Sequence, residues 1–230
     1  MTNSPEELLH CEGLLSSLWR PFEATVDGTQ RSIPLAWELR APSPGPRSVV
    51  LGGIHGNEPC GVHALRHLLE NFSSGRLSLQ SGSLLLAIGN AEALRAQKRY
   101  VGANMNRQFL PDRSPQGTEY ERIRVEELKA VLRSDVDLLL DLHATSAPSE
   151  PYAMIERSSM ARTQIFGFPI IVSGWAELGD SSLAGDTHSF VESLGGAAIT
   201  MENGQLDDPL STASAIETVE RVLSQRSVVG

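Results

Sequence analysis

The amino-acid sequence predicts an α/β fold, a mixed and mostly parallel sheet flanked by helices on both faces. Short, wholly apolar runs that suit strands covered on both faces recur along the chain, and segments with apolar residues at helical spacing lie between them. Strands interleaved with helices build a layered sandwich whose working loops sit at the carboxyl ends of the strands. No internal repeat and no long linker interrupts the 230 residues, so one domain spanning 1–230 is expected.

The elements follow in order. Residues 33–40 (IPLAWELR) alternate apolar and polar side chains, as a half-buried strand does, and the Pro/Gly-rich stretch 41–47 (APSPGPR) is expected to turn the chain. SVVLGG at 48–53 reads as a buried strand. Behind it, 58–70 reads as an amphipathic helix, with Pro59 near its first position and Val62, Leu65, Leu68 and Leu69 on one face. A strand at 83–89, a helical turn at 90–97, a loop through 100–116 and a charged amphipathic helix near 118–133 come next. VDLLLDL at 136–142 is the clearest buried strand. Further strands are expected at 152–156, 169–173 and 197–202, with helices at 182–194 and 212–225.

Composition narrows the function. The formal charge is −9, which repels nucleic acid and anionic membrane unless positive charge is concentrated somewhere. The N-terminus has neither the basic start nor the apolar run of a secretory signal, and no segment approaches about 18 uncharged apolar residues, so a cytoplasmic location is expected. Cys11 and Cys60 are expected to be reduced thiols.

The stretch GGIHGNEPCG at 52–61 carries the most chemistry. His55 falls just past a buried strand and Glu58 in the first turn expected of the following helix, so the two can converge on one ion. Gly52, Gly53 and Gly56 free the backbone to turn sharply between them. Catalytic zinc commonly takes three ligands from His and carboxylate and leaves a position for water. The other strand ending in a histidine is VDLLLDLHAT, which places His143 at the C-terminal rim. Asp141 points to the same side of that strand and could orient His143 from behind. His63 and His67 lie four apart on one helical face, but residue 64 is Ala, so the metalloprotease pattern HExxH is absent and the pair reads as helix surface. His10 and His188 have no comparable context.

GGIHGNEPCG, RYVGANMNRQF at 99–109, DLHAT at 141–145 and MENG at 201–204 together resemble the succinylglutamate desuccinylase/aspartoacylase family, a branch of the zinc carboxypeptidase superfamily. The resemblance spans about 48–204, with the motifs in order. It implies a zinc-peptidase-like fold, one Zn²⁺ held by His55, Glu58 and His143, and hydrolysis of an amide bond in an acylated amino acid. It further implies that Arg99 polarises the scissile carbonyl, that Asn106 and Arg107 bind a substrate carboxylate, and that Glu202 is the general base. The family's usual DLNR reads NMNR here, a departure at Asn104 and Met105. Members acting on acylated aspartate or succinylated glutamate usually carry a further C-terminal domain that walls the active site, whereas about 28 residues follow Glu202 here. The cleft is therefore expected to be open, or closed by the loops at 143–151 and 203–211 or by a second subunit, which leaves a homo-oligomer open.

The chemistry agrees with these roles. Zinc lowers the pKa of its water towards about 7 and polarises a carbonyl. A carboxylate can move the water proton to the leaving amine, and an arginine can grip a carboxylate with two parallel hydrogen bonds. Between Ala93 and Pro111 stand Arg95, Lys98, Arg99 and Arg107 with no Asp or Glu, a basic island in an acidic chain. The expected partner is thus a small anionic substrate, with no nucleic acid and no membrane. A zinc-dependent deacylase is the leading reading; a carboxypeptidase-like hydrolase of short peptides and a catalytically silent metal-binding module are the alternatives.

Overall fold

The computed structural model describes residues 4–110, 114–133, 135–175, 184–226 and 228–230. Ten strands are described: β1 (Arg20–Val26), β2 (Thr29–Arg40), β3 (Ser43–Gly52), β4 (Ser78–Leu79), β5 (Ser81–Ile88), β6 (Leu138–Thr145), β7 (Tyr152–Met154), β8 (Ile171–Val172), β9 (Ala197–Gln205) and β10 (Val228–Val229). The α-helices are α1 (Pro5–Leu9), α2 (Cys60–Ser73), α3 (Ala91–Arg95), α4 (Glu119–Leu132), α5 (Arg157–Thr163), α6 (Thr187–Ser193) and α7 (Pro209–Ser224). Eight strands form one sheet in the order β1-β2-β5-β3-β6-β9-β7-β8.

The centre of that sheet, β5-β3-β6-β9, is parallel throughout. Its strands are the apolar runs of the sequence: Val49, Leu85, Leu139 and Ala198 are fully buried, as strands covered on both faces must be. Antiparallel β2 and β1 extend one side; β7 pairs antiparallel with β9 on the other, and β8 runs parallel to β7. The expected mixed sheet with helices on both faces is therefore present. One face packs on α2 and α7 through residues such as Leu65, Leu68 and Val219. The opposite face packs on α4 and α6 through Val125, Leu128 and Phe190.

Several boundaries differ from expectation for identifiable reasons. The stretch 41–47 turns the chain only at Ala41 and Pro42; Ser43 already opens β3, whose proline-bearing start lies at the exposed end of the strand. Pro59 caps α2 rather than sitting inside it, and Glu58 lies on the turn before the helix, because a residue preceding proline is disfavoured in helical conformation. β6 continues through Thr145 and β9 through Gln205, so His143 stands within its strand rather than just past it, and Glu202, expected as the last residue of its strand, lies inside it. Within the predicted helix 182–194 the described helical part is Thr187–Ser193, and residues 182–183 lie outside the described residues. β1, α1 and α5 were not expected. β1 is a half-exposed edge strand with Pro21 near its start, so it lacks the apolar run that marked its central neighbours.

Cys11 and Cys60 are both buried free thiols. No helix among the described residues is long and apolar enough to cross a membrane.

Candidate metal centre and active site

The centre forms where β3, β6 and β9 end side by side. The loop after β3 delivers His55 and Glu58. It folds tightly because Gly53 adopts φ +72° and because a Cβ on Gly56 would fall 2.0 Å from the Ala93 carbonyl carbon, so only glycine lets α3 approach. Glu58 N–H closes the turn by donating to the His55 carbonyl at 3.2 Å. The register of β6 on β9 sets His143 beside Glu202.

His55, Glu58 and His143 are all buried, and one candidate ligand atom from each lies within 4.8 Å of the others. Glu58 stands between the histidines: Oε1 lies 3.0 Å from His55 Nδ1, and Oε2 lies 2.9 Å from His143 Nδ1. The His55 contact lacks hydrogen-bond geometry, so His55 Nδ1 is a buried nitrogen with no hydrogen-bond partner. A native interior rarely leaves such an atom unsatisfied, and a cation shared by two imidazole nitrogens and a carboxylate would satisfy it. The three residues expected from sequence to be metal ligands thus form a group that could hold a metal ion.

Each histidine is braced from behind by its other nitrogen. His143 Nε2 lies 3.1 Å from Asp141 Oδ2, as the shared side of the strand predicts. The Thr187 hydroxyl donates to the same Asp141 oxygen, while Thr187 N–H donates to Asn106 Oδ1 at 3.0 Å. His55 Nε2 lies 3.0 Å from Asn104 Oδ1. Sequence reading noted Asn104 only as a departure from DLNR and had no reason to pair it with His55; a contact across 49 positions is invisible to local pattern.

The electrostatics follow these contacts. Burial opposes the Glu58 charge, but the hydrogen bond with His143 and the charge interaction with both imidazoles hold its carboxyl well below the usual range. Burial likewise opposes charge on His143, yet Asp141 and Glu58 raise its pKa well above that of an ordinary histidine. At His55 burial wins over Glu58 and lowers the pKa. Burial also raises the pKa of Glu202, whose Oε2 is buried without a hydrogen-bond partner.

A cavity of about 270 Å³ opens on this centre, lined on one side by His55, His143, Glu202, Arg99, Asn106 and Arg107. All the site residues expected from sequence other than Glu58 and Asp141 face it; Glu58 touches it through His55, His143 and Arg99. Arg99 Nη1 donates to Glu58 Oε1 at 2.7 Å while its side chain stays 46% exposed at the mouth. Burial lowers the pKa of Arg107, against the pull of nearby Asp186. The basic island is only partly recruited: Arg95 turns away to Glu6, at 2.8 Å.

The expected closing loops lie elsewhere. Residues 143–145 and 203–205 belong to strands, and the chain after β9 runs to α7 on the opposite face of the sheet. The described cavity wall comes instead from 152–156, from Val172 and Trp175, and from 186–189. His188, unassigned from sequence, is part of that wall, with Nδ1 3.2 Å from the Thr200 hydroxyl. His63 lies away from this cavity, and His67 pairs with Glu220 at 2.8 Å, in keeping with a helix-surface pair.

A family model of the succinylglutamate desuccinylase/aspartoacylase catalytic domain matches residues 44–226. The chain belongs to that family. Over 110 residues it is 36% identical to an N-acyl-aromatic-L-amino acid amidohydrolase (carboxylate-forming) of Rattus norvegicus, a match covering 44% of this chain and 34% of that protein. Over 178 residues it is 28% identical to a succinylglutamate desuccinylase of Burkholderia lata, covering 69% and 48%. The product-bound structure of the ectoine utilization protein EutE (DoeB) from Ruegeria pomeroyi superposes with a TM-score of 0.68 at 26% identity, covering 87% of this chain and 62% of that one. The chain therefore spans half or less of the length of these curated relatives.

Proposed function

We propose that this chain is a zinc-dependent hydrolase that cleaves the amide bond of an N-acyl amino acid or a similar small substrate bearing a carboxylate. One observation carries the reading: the buried His55–Glu58–His143 group, Glu202 and two arginines, Arg99 and Arg107, converge on a single cavity. Family membership supports amide hydrolysis as the reaction class. Zinc held by the trio would supply Lewis acidity, polarising a carbonyl and bringing the ionisation of water near neutral pH.

The chain's own groups do the rest. Glu202, level with His143 on the neighbouring strand, takes the proton of the attacking water and returns it to the departing amine. Its burial raises its proton affinity, which suits it to hold that proton between the two steps. Arg99 reaches in from the mouth and stabilises the negative charge that develops on the carbonyl oxygen, a contribution of about 2.7–4 kcal/mol for one such donor. Arg107 receives the substrate carboxylate. Asn106 keeps its amide oxygen on Thr187 N–H and its nitrogen 3.5 Å from His143 Nε2, so its part is to shape the wall between carboxylate and histidine.

The test is Glu202→Gln in zinc-loaded protein. Metal content should stay at one ion per chain while amine release from N-acyl amino acids falls by about 10²–10⁴-fold. Full activity in that variant would remove Glu202 from the chemistry, and unchanged zinc stoichiometry in His143→Ala would remove the metal site.

A further inference from the structure

Thr187, the first residue of α6, is fully buried and spends both of its donors on residues of the site. Its hydroxyl donates to Asp141 Oδ2, and its N–H donates to Asn106 Oδ1 at 3.0 Å. The two acceptors meet again at a single atom: Asp141 Oδ2 lies 3.1 Å, and Asn106 Nδ2 3.5 Å, from His143 Nε2. Thr187, Asp141, His143 and Asn106 therefore close a ring, and all four are buried.

The ring joins two functions. On one side it fixes His143 Nε2, which leaves Nδ1 turned towards Glu58 Oε2, at 2.9 Å, within the group formed with His55. On the other side it fixes an amide, which is able to present either oxygen or nitrogen. Because Thr187 N–H engages Oδ1, the end of Asn106 left for His143 and the cavity is Nδ2, a donor suited to an anion. Arg107, the next residue, donates from Nη1 to the Asn106 carbonyl at 2.5 Å, and Phe109 N–H donates to the Gly185 carbonyl at 2.8 Å. Segments 106–109 and 185–187 are thus tied together on either side of Arg107.

Asp141 makes the hydroxyl matter. Its carboxylate is fully buried, its Oδ1 has no hydrogen-bond partner, and its Oδ2 meets Thr187 and His143. With the hydroxyl gone, a buried carboxylate loses a donor that water cannot replace, and it is free to turn away from His143.

We infer that Thr187 is a positioning residue: it holds the metal ligand His143 and the carboxylate-binding amide Asn106 in one hydrogen-bonded frame, so that a carboxylate at Arg107 and a metal ion at His143 strengthen each other's binding. A carboxylate on Arg107 and Asn106 Nδ2 steadies the amide, the amide oxygen steadies Thr187 N–H, and the Thr187 hydroxyl steadies Asp141 behind His143. By linkage the same factor acts in reverse, from metal to carboxylate. The inference rests on the hydrolase reading above for the metal and for the carboxylate at Arg107, and its test separates the two.

Zinc retention is measured by competition with a chelator, without and with 3-phenylpropionate, a monocarboxylate that has no amine to chelate zinc and no amide to cleave. Binding of 3-phenylpropionate to zinc-loaded and metal-free protein is measured by calorimetry, and amine release from N-acetyl amino acids is followed separately. In wild type each ligand should tighten the other by about fivefold or more. Thr187→Val keeps the branched shape and the N–H but loses the hydroxyl. Its zinc retention should fall about tenfold, and the mutual tightening should shrink to about twofold or less. Thr187→Ser, which keeps the hydroxyl and loses the methyl, should stay within about threefold of wild type in zinc retention and keep the tightening. A role in packing alone would impair Thr187→Ser at least as much as Thr187→Val. Should Thr187→Val fail to fold, Thr187→Ala is compared with Thr187→Ser, a pair that differs by the hydroxyl. Tightening that persists without the hydroxyl, as it would if the carboxylate acted on the ion directly, overturns the inference. Absence of tightening in wild type does the same, even if amine release shows that the hydrolase reading stands. Tightening lost with the hydroxyl, but no turnover of any N-acetyl amino acid, supports the inference and sinks the hydrolase reading. Wild type that retains no zinc overturns both.

Discussion

His55 and His143 face the same carboxylate, yet they are held in opposite ways. His143 sits on a central strand between two carboxylates, Glu58 and Asp141, and its proton affinity is raised. His55 sits on a loop, its outer nitrogen on the neutral amide of Asn104, and burial lowers its proton affinity. A carboxylate behind an imidazole strengthens it as a donor and fixes its orientation; an amide fixes orientation with less charge. As the proposed metal ligands, the two would pair a rigid, electron-rich imidazole from the sheet with a weaker one from the loop. On the proposed reading the strand side carries metal retention and the loop side is where it can be tuned.

The largest effect should separate the two histidines without metal present. Removing His143 leaves Glu58 and Asp141 as buried charges with a lost partner, so His143→Ala should cost the metal-free protein about 3–5 kcal/mol in urea unfolding. His55→Ala removes one neutral contact from the Asn104 amide oxygen, which keeps its bond from Asn106 N–H, and should cost about 0.5–1.5 kcal/mol. Equal losses would erase the distinction. Next in size is Asp141→Asn, which makes the acceptors behind the two histidines alike as amides. It should weaken zinc retention by about 10–100-fold in competition with a chelator. The reverse change, Asn104→Asp, makes both acceptors carboxylates and should tighten retention by up to about tenfold. A null result there, with Asp141→Asn strongly impaired, would show that only the strand side matters.

The smallest effect concerns what holds Asn104 in place. Glu121, through the capping box of α4, accepts backbone N–H groups from Val101, Gly102, Ala103 and Thr118, pinning the segment that leads to Asn104. Burial opposes its charge, but these donors outweigh it and keep its carboxyl below the usual range. A depressed folded-state pKa contributes stability that is present above the unfolded value of about 4.3 and is lost as pH falls through the folded one. Wild type should therefore exceed Glu121→Gln by on the order of 1 kcal/mol at neutral pH. The urea midpoints should converge as pH falls below about 4. A pH-independent gap would mean that shape, not charge, holds the segment.

Legibility in the sequence followed the range of the forces involved. Apolar runs marked β3, β5 and β6 because strands buried on both faces have nowhere to place polar side chains. Glycines between strand and helix, with His55 and Glu58 three apart, marked the loop because a tight turn and converging ligands both leave local traces. His143 was readable at a strand end. β1 was not, since an edge strand tolerates polar residues and proline.

By itself, then, the sequence determined the layered fold, the family and the residues able to meet at a metal ion, all of which depend on periodicity or short spacing. Tertiary structure alone decided that Asn104 stands behind His55, that Thr187 ties Asp141 to Asn106, and that Met154, Val172 and Trp175 line the same cavity as His143 and Glu202. Those contacts join residues many positions apart, brought together only by strand register and by the packing of α6 over the sheet, and no local pattern encodes such distances.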